Sequence, residues 1–157
     1  MSKSFNEWVK GCQQRVEVAA GELLPPTDLE PKILHEAMRY SVIGGGKRVR
    51  PLLVYAVSEL FGADEHNADR VALAIECVHS YSLIHDDLPC MDNDMLRHGK
   101  PTTHAKYGEA MAMLAGDALQ PEAFIYISET TLNPHQKLVL ISLLLSLIHI
   151  SEPTRHL

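Results

Sequence analysis

Residues 71–104 read VALAIECVHSYSLIHDDLPCMDNDMLRHGKPTTH. Four aspartates, Asp86, Asp87, Asp92 and Asp94, fall within nine positions of this stretch, directly after a long segment whose apolar residues recur with helical spacing. Such spacing predicts an amphipathic helix. The chain should therefore present several carboxylates close to a helix end, which makes this the first place to look for chemistry.

A proline decides where that helix ends. Pro89 lacks a backbone N–H and clashes with the carbonyl four residues earlier, so the helix should be disturbed or end around Leu88. On a continued helix Asp92 would point about 240° away from Asp86, whereas a bulge or turn across residues 88–91 returns it beside Asp86.

Two converging carboxylates repel each other, and a divalent cation removes that cost. Mg²⁺ is typically held by one or two protein carboxylates together with water and phosphate oxygens. The carboxylates alone fit a solvated acidic loop that caps the next helix equally well.

Basic residues that could meet phosphate lie upstream, where residues 45–51 read GGKRVRP. A glycine run with cations is a weak phosphate signal here, because it lacks the strand and the spacing of a P-loop or a dinucleotide fingerprint. Taken alone, it is better interpreted as a charged helix end.

Composition limits the class of protein. The 157 residues suffice for one domain with a core, and 46% hydrophobic and 22% charged residues are ordinary for a globular protein. A net charge of -6 argues against nucleic acid as a partner. Three cysteines without a CxxC pair, and no evident signal peptide, predict a reducing, cytoplasmic setting. The apolar run at residues 138–150 is too short to span a membrane.

Helical patterns recur along the chain and predict an all-α fold with four to six helices, without strand-like alternation. A Ser4–Glu7 capping box opens the first helix. Near the other end, helices are expected at residues 108–115 and 121–130, with a bend at Gly116, Asp117 and Pro121 between them. Asp117 is interpreted as a cap or a buried structural acid rather than a metal ligand.

Two motifs carry a resemblance to a known family. Residues 85–92 (HDDLPCMD) followed by residues 96–102 (LRHGKPT) resemble the first aspartate-rich motif of the trans-isoprenyl diphosphate synthases, also called polyprenyl synthases. Residues 45–51 resemble the GGKRxRP motif of the same family. The inserted form DDxxxxD is similar to that of bacterial farnesyl diphosphate synthases (geranyltranstransferases) and of plant-type geranylgeranyl diphosphate synthases. The resemblance covers residues 5–142, roughly the first half of a family member.

The resemblance implies the N-terminal half of an isoprenoid-synthase helical bundle, a homodimer when full-length, and roles for individual residues. It places the metal at Asp86, Asp87 and Asp92, with Asp86 and Asp92 catalytic. It places isopentenyl diphosphate at Lys47, Arg50 and His79, the allylic diphosphate at Arg97, and the limit on product length at Tyr81 and Ser82. His98 stands where the family usually has a second arginine that serves isopentenyl diphosphate. From the residues alone, His79 is better interpreted as a histidine of the helical core, and Tyr81 also fits a core aromatic.

The implied activity is the Mg²⁺-dependent head-to-tail condensation of isopentenyl diphosphate with dimethylallyl or geranyl diphosphate to give farnesyl diphosphate. Geranylgeranyl diphosphate synthase and a non-catalytic prenyltransferase-like partner subunit stay open as alternatives. The family's second aspartate-rich motif is not found in the sequence, and residues 143–157 resemble translated adapter-derived DNA. We therefore interpret residues 1–142 as part of a polyprenyl synthase domain and 143–157 as a non-native tail, and expect the chain alone to be inactive.

Overall fold

The computed structural model describes residues 4–148, which form seven helices and one two-stranded antiparallel hairpin. The elements are α1 (Phe5–Leu23), α2 (Lys32–Val42), α3 (Val49–Leu60), α4 (Glu65–Asp86), β1 (Leu96–Arg97), β2 (Lys100–Pro101), α5 (Thr103–Tyr107), α6 (Glu109–Ser128) and α7 (Pro134–Ile148). The all-α class is confirmed. The count exceeds the expected four to six because α5 and α7 are additional, while the two helices expected over residues 108–130 are one.

Local signals place the ends of the early helices where the sequence predicts them. The Ser4 hydroxyl accepts a hydrogen bond from the Glu7 amide at 3.3 Å, and the Glu7 carboxylate accepts one from the Ser4 amide at 2.8 Å. The predicted capping box is therefore confirmed. Helix α4 ends at Asp86, three residues before Pro89, as expected from the missing donor of the proline.

The prediction of two separate helices over residues 108–130 was wrong. The helix runs unbroken from Glu109 to Ser128 with Pro121 inside it, and residues on both sides of the proline are buried in the core. Packing along the whole helix thus offsets the hydrogen bond that Pro121 cannot donate. Asp117 lies in mid-helix with a side chain 58% exposed, so it is neither a cap nor a buried acid.

Helices α4 and α6 form the centre of the molecule and make its most extensive contact. Their buried faces carry many small residues, which lets the two backbones approach closely. Gly116 shows how tight the contact is, because a Cβ at this position would overlap the imidazole of His85. The other buried residues of this interface are Leu73, Ala74, Cys77, Tyr81, Ile84, Ala112, Ala115, Leu119 and Ala123.

The hairpin was not predicted, because strands of two residues are too short to show alternation. Leu96 pairs with Pro101, and Arg97 with Lys100. His98 and Gly99 between them both have positive φ, 52° and 77°, as a type I′ turn requires. The turn directs the short hairpin back toward α2 and the glycine run.

One face of α3 is apolar and exposed. Val49, Leu53 and Val57 follow one another at four-residue spacing and are 52–63% exposed, and Leu60 and Phe61 at the helix end are 77–78% exposed. None of the helices described is long and apolar enough to cross a bilayer. Helix α7 continues past residue 143, where the predicted tail begins, and residues 149–157 of that tail lie outside the described residues.

A buried arginine joins four helices. Arg48 precedes α3, is 7% exposed and adopts a left-handed backbone conformation with φ of 54°. Its Nη1 donates to Glu76 of α4 at 2.6 Å, its Nε donates to Glu17 of α1 at 2.9 Å, and its Nη2 donates to the Val42 carbonyl at the end of α2. The guanidinium therefore fixes where the glycine run meets α4.

Replacing Glu76 tests this network. Glu76→Gln leaves the buried guanidinium with one fewer charged partner, so we expect the free energy of unfolding to fall by about 2–3 kcal/mol in urea titrations. The control is Glu129→Gln, which removes a half-exposed carboxylate 3.8 Å from Arg70 and should change stability by less than about 1 kcal/mol. If the two variants lowered the free energy of unfolding equally, the Arg48 network would not contribute more to stability than an exposed ion pair.

Candidate functional site

The carboxylate loop after α4 folds back on the helix end. The Asp92 amide donates to the Asp86 carbonyl at 2.8 Å, and the Asp94 amide donates to the Asp87 carbonyl at 3.2 Å. Further on, the Thr102 hydroxyl donates to the Asp94 carbonyl at 2.7 Å, which ties the loop to the start of α5. The structure thus brings Asp92 back to Asp86, in the way that a turn at residues 88–91 would do.

The electrostatics of Asp86 reflect this proximity. Burial raises the pKa of the Asp86 carboxyl, and the negative charges of Asp92 and Asp87 raise it further, against the opposing effect of Arg97. Proton binding relieves this repulsion at low pH, and a divalent cation would relieve it at neutral pH. The arrangement can therefore hold a hard cation between Asp86 and Asp92.

Among the described residues, the site offers Mg²⁺ two carboxylates but not a cluster of three protein ligands. One or two carboxylates with water and phosphate oxygens suffice for Mg²⁺, so Asp86 and Asp92 are an adequate protein share. Within residues 4–148, however, no three His, Cys, Asp or Glu side chains are arranged to hold one ion. The third predicted ligand, Asp87, has a different partner.

Asp87 forms an ion pair with Arg97. The Asp87 side chain is 4% exposed, and both its oxygens accept hydrogen bonds from Arg97, at 2.6–3.1 Å. The hydrogen bonds to Asp87 raise the pKa of Arg97, which stays charged. In this arrangement both oxygens of Asp87 are bound by Arg97, which it positions.

A cavity of about 300 Å³ opens beside this pair. It lies between the glycine run, the C-terminal half of α4 and the hairpin. Four of the residues predicted to form the site line it: His79, Asp87, Arg97 and His98. The cavity wall also includes Tyr40, Ser41, Ile43, Gly44, Gly45, Gly46, Arg48, Glu76, Ser80, Leu83, Ile84, Lys100, Pro101, Thr102 and Thr103.

Of the five residues predicted to bind diphosphate, two, Lys47 and Arg50, lie outside the cavity wall. Lys47 and Arg50 are both exposed, on either side of the buried Arg48. Burial lowers the pKa of His79, and the charge of Arg50 lowers it further, as do those of Arg97 and Arg48, against the opposing charge of Glu76. The imidazole therefore favours its neutral form.

Tyr81 and Ser82 lie one turn of α4 before Asp86. Tyr81 is buried at 8% exposure, packs edge-on against His85 at 5.8 Å between ring centroids, and belongs to the main core. Burial and the Asp86 charge raise the pKa of its hydroxyl. The Ser82 hydroxyl donates to the His79 carbonyl at 2.8 Å. Tyr81 thus stands close to the carboxylate, while Ser82 makes a bond within its own helix.

Two groups in the site escaped the sequence analysis. Arg48 and Glu76 face the cavity as a buried pair, and Lys100 reaches across from the hairpin to the Gly44 carbonyl at 2.8 Å. A periodic pattern cannot reveal pairs that are 28 and 56 positions apart. The available signal was that Arg48 and Lys100 each lie inside one of the two motifs already quoted.

The raised pKa of Asp86 predicts a pH-dependent effect on stability. A carboxyl with a raised pKa stabilises the fold only while it is protonated, and this contribution is lost as pH rises through the folded-state pKa. In chelator at pH 7, Asp86→Asn should therefore raise the melting temperature, and the gain should vanish near about pH 3, where the wild type is protonated. The control is Asp28→Asn, at an exposed position between α1 and α2. A destabilised Asp86→Asn variant at pH 7 would refute the assignment.

The sequence is similar to known proteins over most of its length. Residues 31–151 match the family model described as polyprenyl synthetase. A farnesyl diphosphate synthase of Haemophilus influenzae is 54% identical over 141 residues, which cover 89% of this chain and 48% of that protein. A chloroplastic geranylgeranyl pyrophosphate synthase of Capsicum annuum is 59% identical over 102 residues, covering 65% of this chain and 28% of that protein.

Solved structures show the same architecture. The apo crystal structure of a FPP/GFPP synthase from Zymomonas mobilis has a TM-score of 0.83 and 51% sequence identity, and covers 87% of this chain and 50% of its own. The chain thus spans about half the length of its bacterial relatives, and less of the chloroplastic one. On the family-model match and the shared helical fold, the chain belongs to the polyprenyl synthetase family.

Proposed function

We propose that this chain carries the first diphosphate-handling half of a trans-prenyltransferase. The reaction is the head-to-tail condensation of isopentenyl diphosphate with an allylic diphosphate, dimethylallyl or geranyl. One observation carries the proposal: Arg97 lines the cation-rich cavity and also lies close enough to Asp86 to lower its pKa. The Arg97 guanidinium thus lies between the Asp86 and Asp92 carboxylates and the cavity. One diphosphate could bind at the carboxylates through Mg²⁺, and a second could bind beside it in the cavity.

The proposal gives the individual residues the following roles. Asp86 and Asp92 would hold Mg²⁺, which supplies Lewis-acid activation of the leaving diphosphate when bound. Arg97, already oriented by Asp87, binds the allylic diphosphate and stabilises the negative charge that develops as the allylic C–O bond breaks. His79, together with Lys47 and Arg50, orients isopentenyl diphosphate, and the charge of Arg50 already acts on His79.

The remaining steps need little from the protein beyond orientation. The double bond of isopentenyl diphosphate attacks the allylic carbon and forms the new C–C bond, and a proton is then lost to the departing diphosphate. In a full-length polypeptide, the rest of the helical bundle would have to exclude water from the allylic cation. No side chain has to act as covalent nucleophile, so the exposed Cys90 is not required.

We propose a fifteen-carbon product, farnesyl diphosphate, because the bulky Tyr81 is buried about one helical turn before Asp86 and would block a longer tail. A twenty-carbon product is supported about equally, since the Capsicum annuum relative is a geranylgeranyl pyrophosphate synthase. Chromatography of the reaction product distinguishes the two.

The condensation is proposed for a polypeptide with the full length of the relatives, because the chain spans about half of that length. The 157-residue chain alone is expected to bind diphosphates without completing the reaction, consistent with the exposed apolar face of α3. A non-catalytic partner subunit is the alternative. It does not require an intact diphosphate site, whereas this chain keeps the motif residues Lys47, Arg50, Asp86 and Asp92.

Metal-dependent binding tests the proposal on the chain itself. Calorimetric titration with geranyl diphosphate should give an affinity at least about tenfold higher in Mg²⁺ than in chelator, and Asp86→Asn should remove that gain. Asp94→Asn is the matched control, because this exposed aspartate lies in the same loop and bonds through its backbone. An Mg²⁺ effect that survives Asp86→Asn would refute the metal assignment, and the absence of any binding would refute the proposed function.

His98 offers a second test. A neutral histidine provides less charge than an arginine and cannot form a bidentate contact. His98→Arg should therefore tighten binding of isopentenyl diphosphate by about threefold to tenfold in calorimetry at pH 7.5. An isotherm indistinguishable from that of the wild type would contradict a role for this position in binding the headgroup.

A further inference from the structure

The cations that line the cavity differ in how their charge is compensated. Arg48 is paired with Glu17 and Glu76, and Arg97 is paired with Asp87. Lys100 is different, because within the part of the chain that the structure describes no carboxylate lies within ion-pair distance of it. Its ammonium group donates instead to a backbone carbonyl.

The hairpin turn holds Lys100 at this place. The left-handed His98 and Gly99 reverse the chain, so that Lys100 Nζ lies 2.8 Å from the Gly44 carbonyl oxygen, 56 positions earlier. The next residue, Pro101, accepts a hydrogen bond from the Tyr40 hydroxyl at 2.8 Å, which fixes the hairpin against α2. The ammonium group therefore bridges the hairpin and the glycine run along the cavity wall.

The spare bonding capacity of Lys100 faces a ligand-sized space. An ammonium group carries three donors, and one of them is used by Gly44. Glu76 and Asp87 are the carboxylates on the cavity wall, and each is already paired with an arginine. Lys100 is thus the lysine or arginine on the cavity wall whose charge is not already offset by a carboxylate within the described part of the chain.

We propose that Lys100 is a substrate-binding residue that contacts the diphosphate headgroup of isopentenyl diphosphate in this cavity, through an ammonium group left without a carboxylate partner. The identity of the anion rests on the proposed function. The existence of an anion site at Lys100 rests on the charges and contacts alone.

Two probes and two lysines test the proposal. Inorganic diphosphate and isopentenyl diphosphate are each titrated into the chain by calorimetry, at 50 mM and 500 mM salt. Lys100→Gln should weaken both ligands about tenfold or more at low salt, and the loss should shrink at high salt because screening weakens the ammonium contact. Lys100→Arg, which keeps the charge, should stay within about threefold of the wild type.

Lys137→Gln is the matched control. Lys137 also donates from Nζ to a backbone carbonyl, that of Ser128 at 2.7 Å, but it lies away from the cavity. Its replacement should leave both affinities unchanged. Melting curves that coincide for the two glutamine variants show that any difference in affinity arises at the site.

The outcomes separate this inference from the proposed function. If isopentenyl diphosphate binds and Lys100→Gln binds it as tightly, the role of Lys100 is refuted while the proposed function stands. If inorganic diphosphate binds in a Lys100-dependent way and isopentenyl diphosphate does not, the anion site is supported and the proposed substrate is refuted. Failure of the wild type to bind either probe refutes the role of Lys100.

Discussion

The compensation of the buried Arg48 charge is the constraint on which the rest of the site depends. A guanidinium removed from water must find carboxylates and carbonyls, or it costs several kcal/mol. Glu17, Glu76 and the Val42 carbonyl meet that need from three different helices. Once they are in place, the glycine run and the start of α3 have one position relative to α4, and the cavity has a defined wall.

The same constraint explains why neighbouring basic residues of one motif differ in burial. Lys47 and Arg50 flank Arg48 in sequence and are exposed, free to meet a ligand, whereas Arg48 is enclosed. The left-handed backbone at Arg48 is what separates them. A cluster of three basic residues thus divides into one that builds the site and two that face outward.

Local physics made much of this structure predictable. The capping box at Ser4 and the proline after Asp86 act within one or two helical turns, so the sequence shows them directly. The return of Asp92 toward Asp86 also followed from Pro89. The Asp87–Arg97 pair, the Arg48 network and the Lys100 contact join distant positions through charge, which leaves no period in the sequence. Within α6, packing against α4 overrode the local preference of Pro121.

The Asp87–Arg97 pair lowers the entropy cost of binding a ligand at Arg97. A free arginine side chain samples many rotamers, and fixing it costs up to about 2 kcal/mol of conformational entropy. Here Asp87 fixes the guanidinium of Arg97 before a ligand binds. Its Nε and Nη2 donate to Asp87, and the remaining N–H groups are available. For an anion bound at Arg97, as we propose, little of the binding free energy would be spent on ordering the protein.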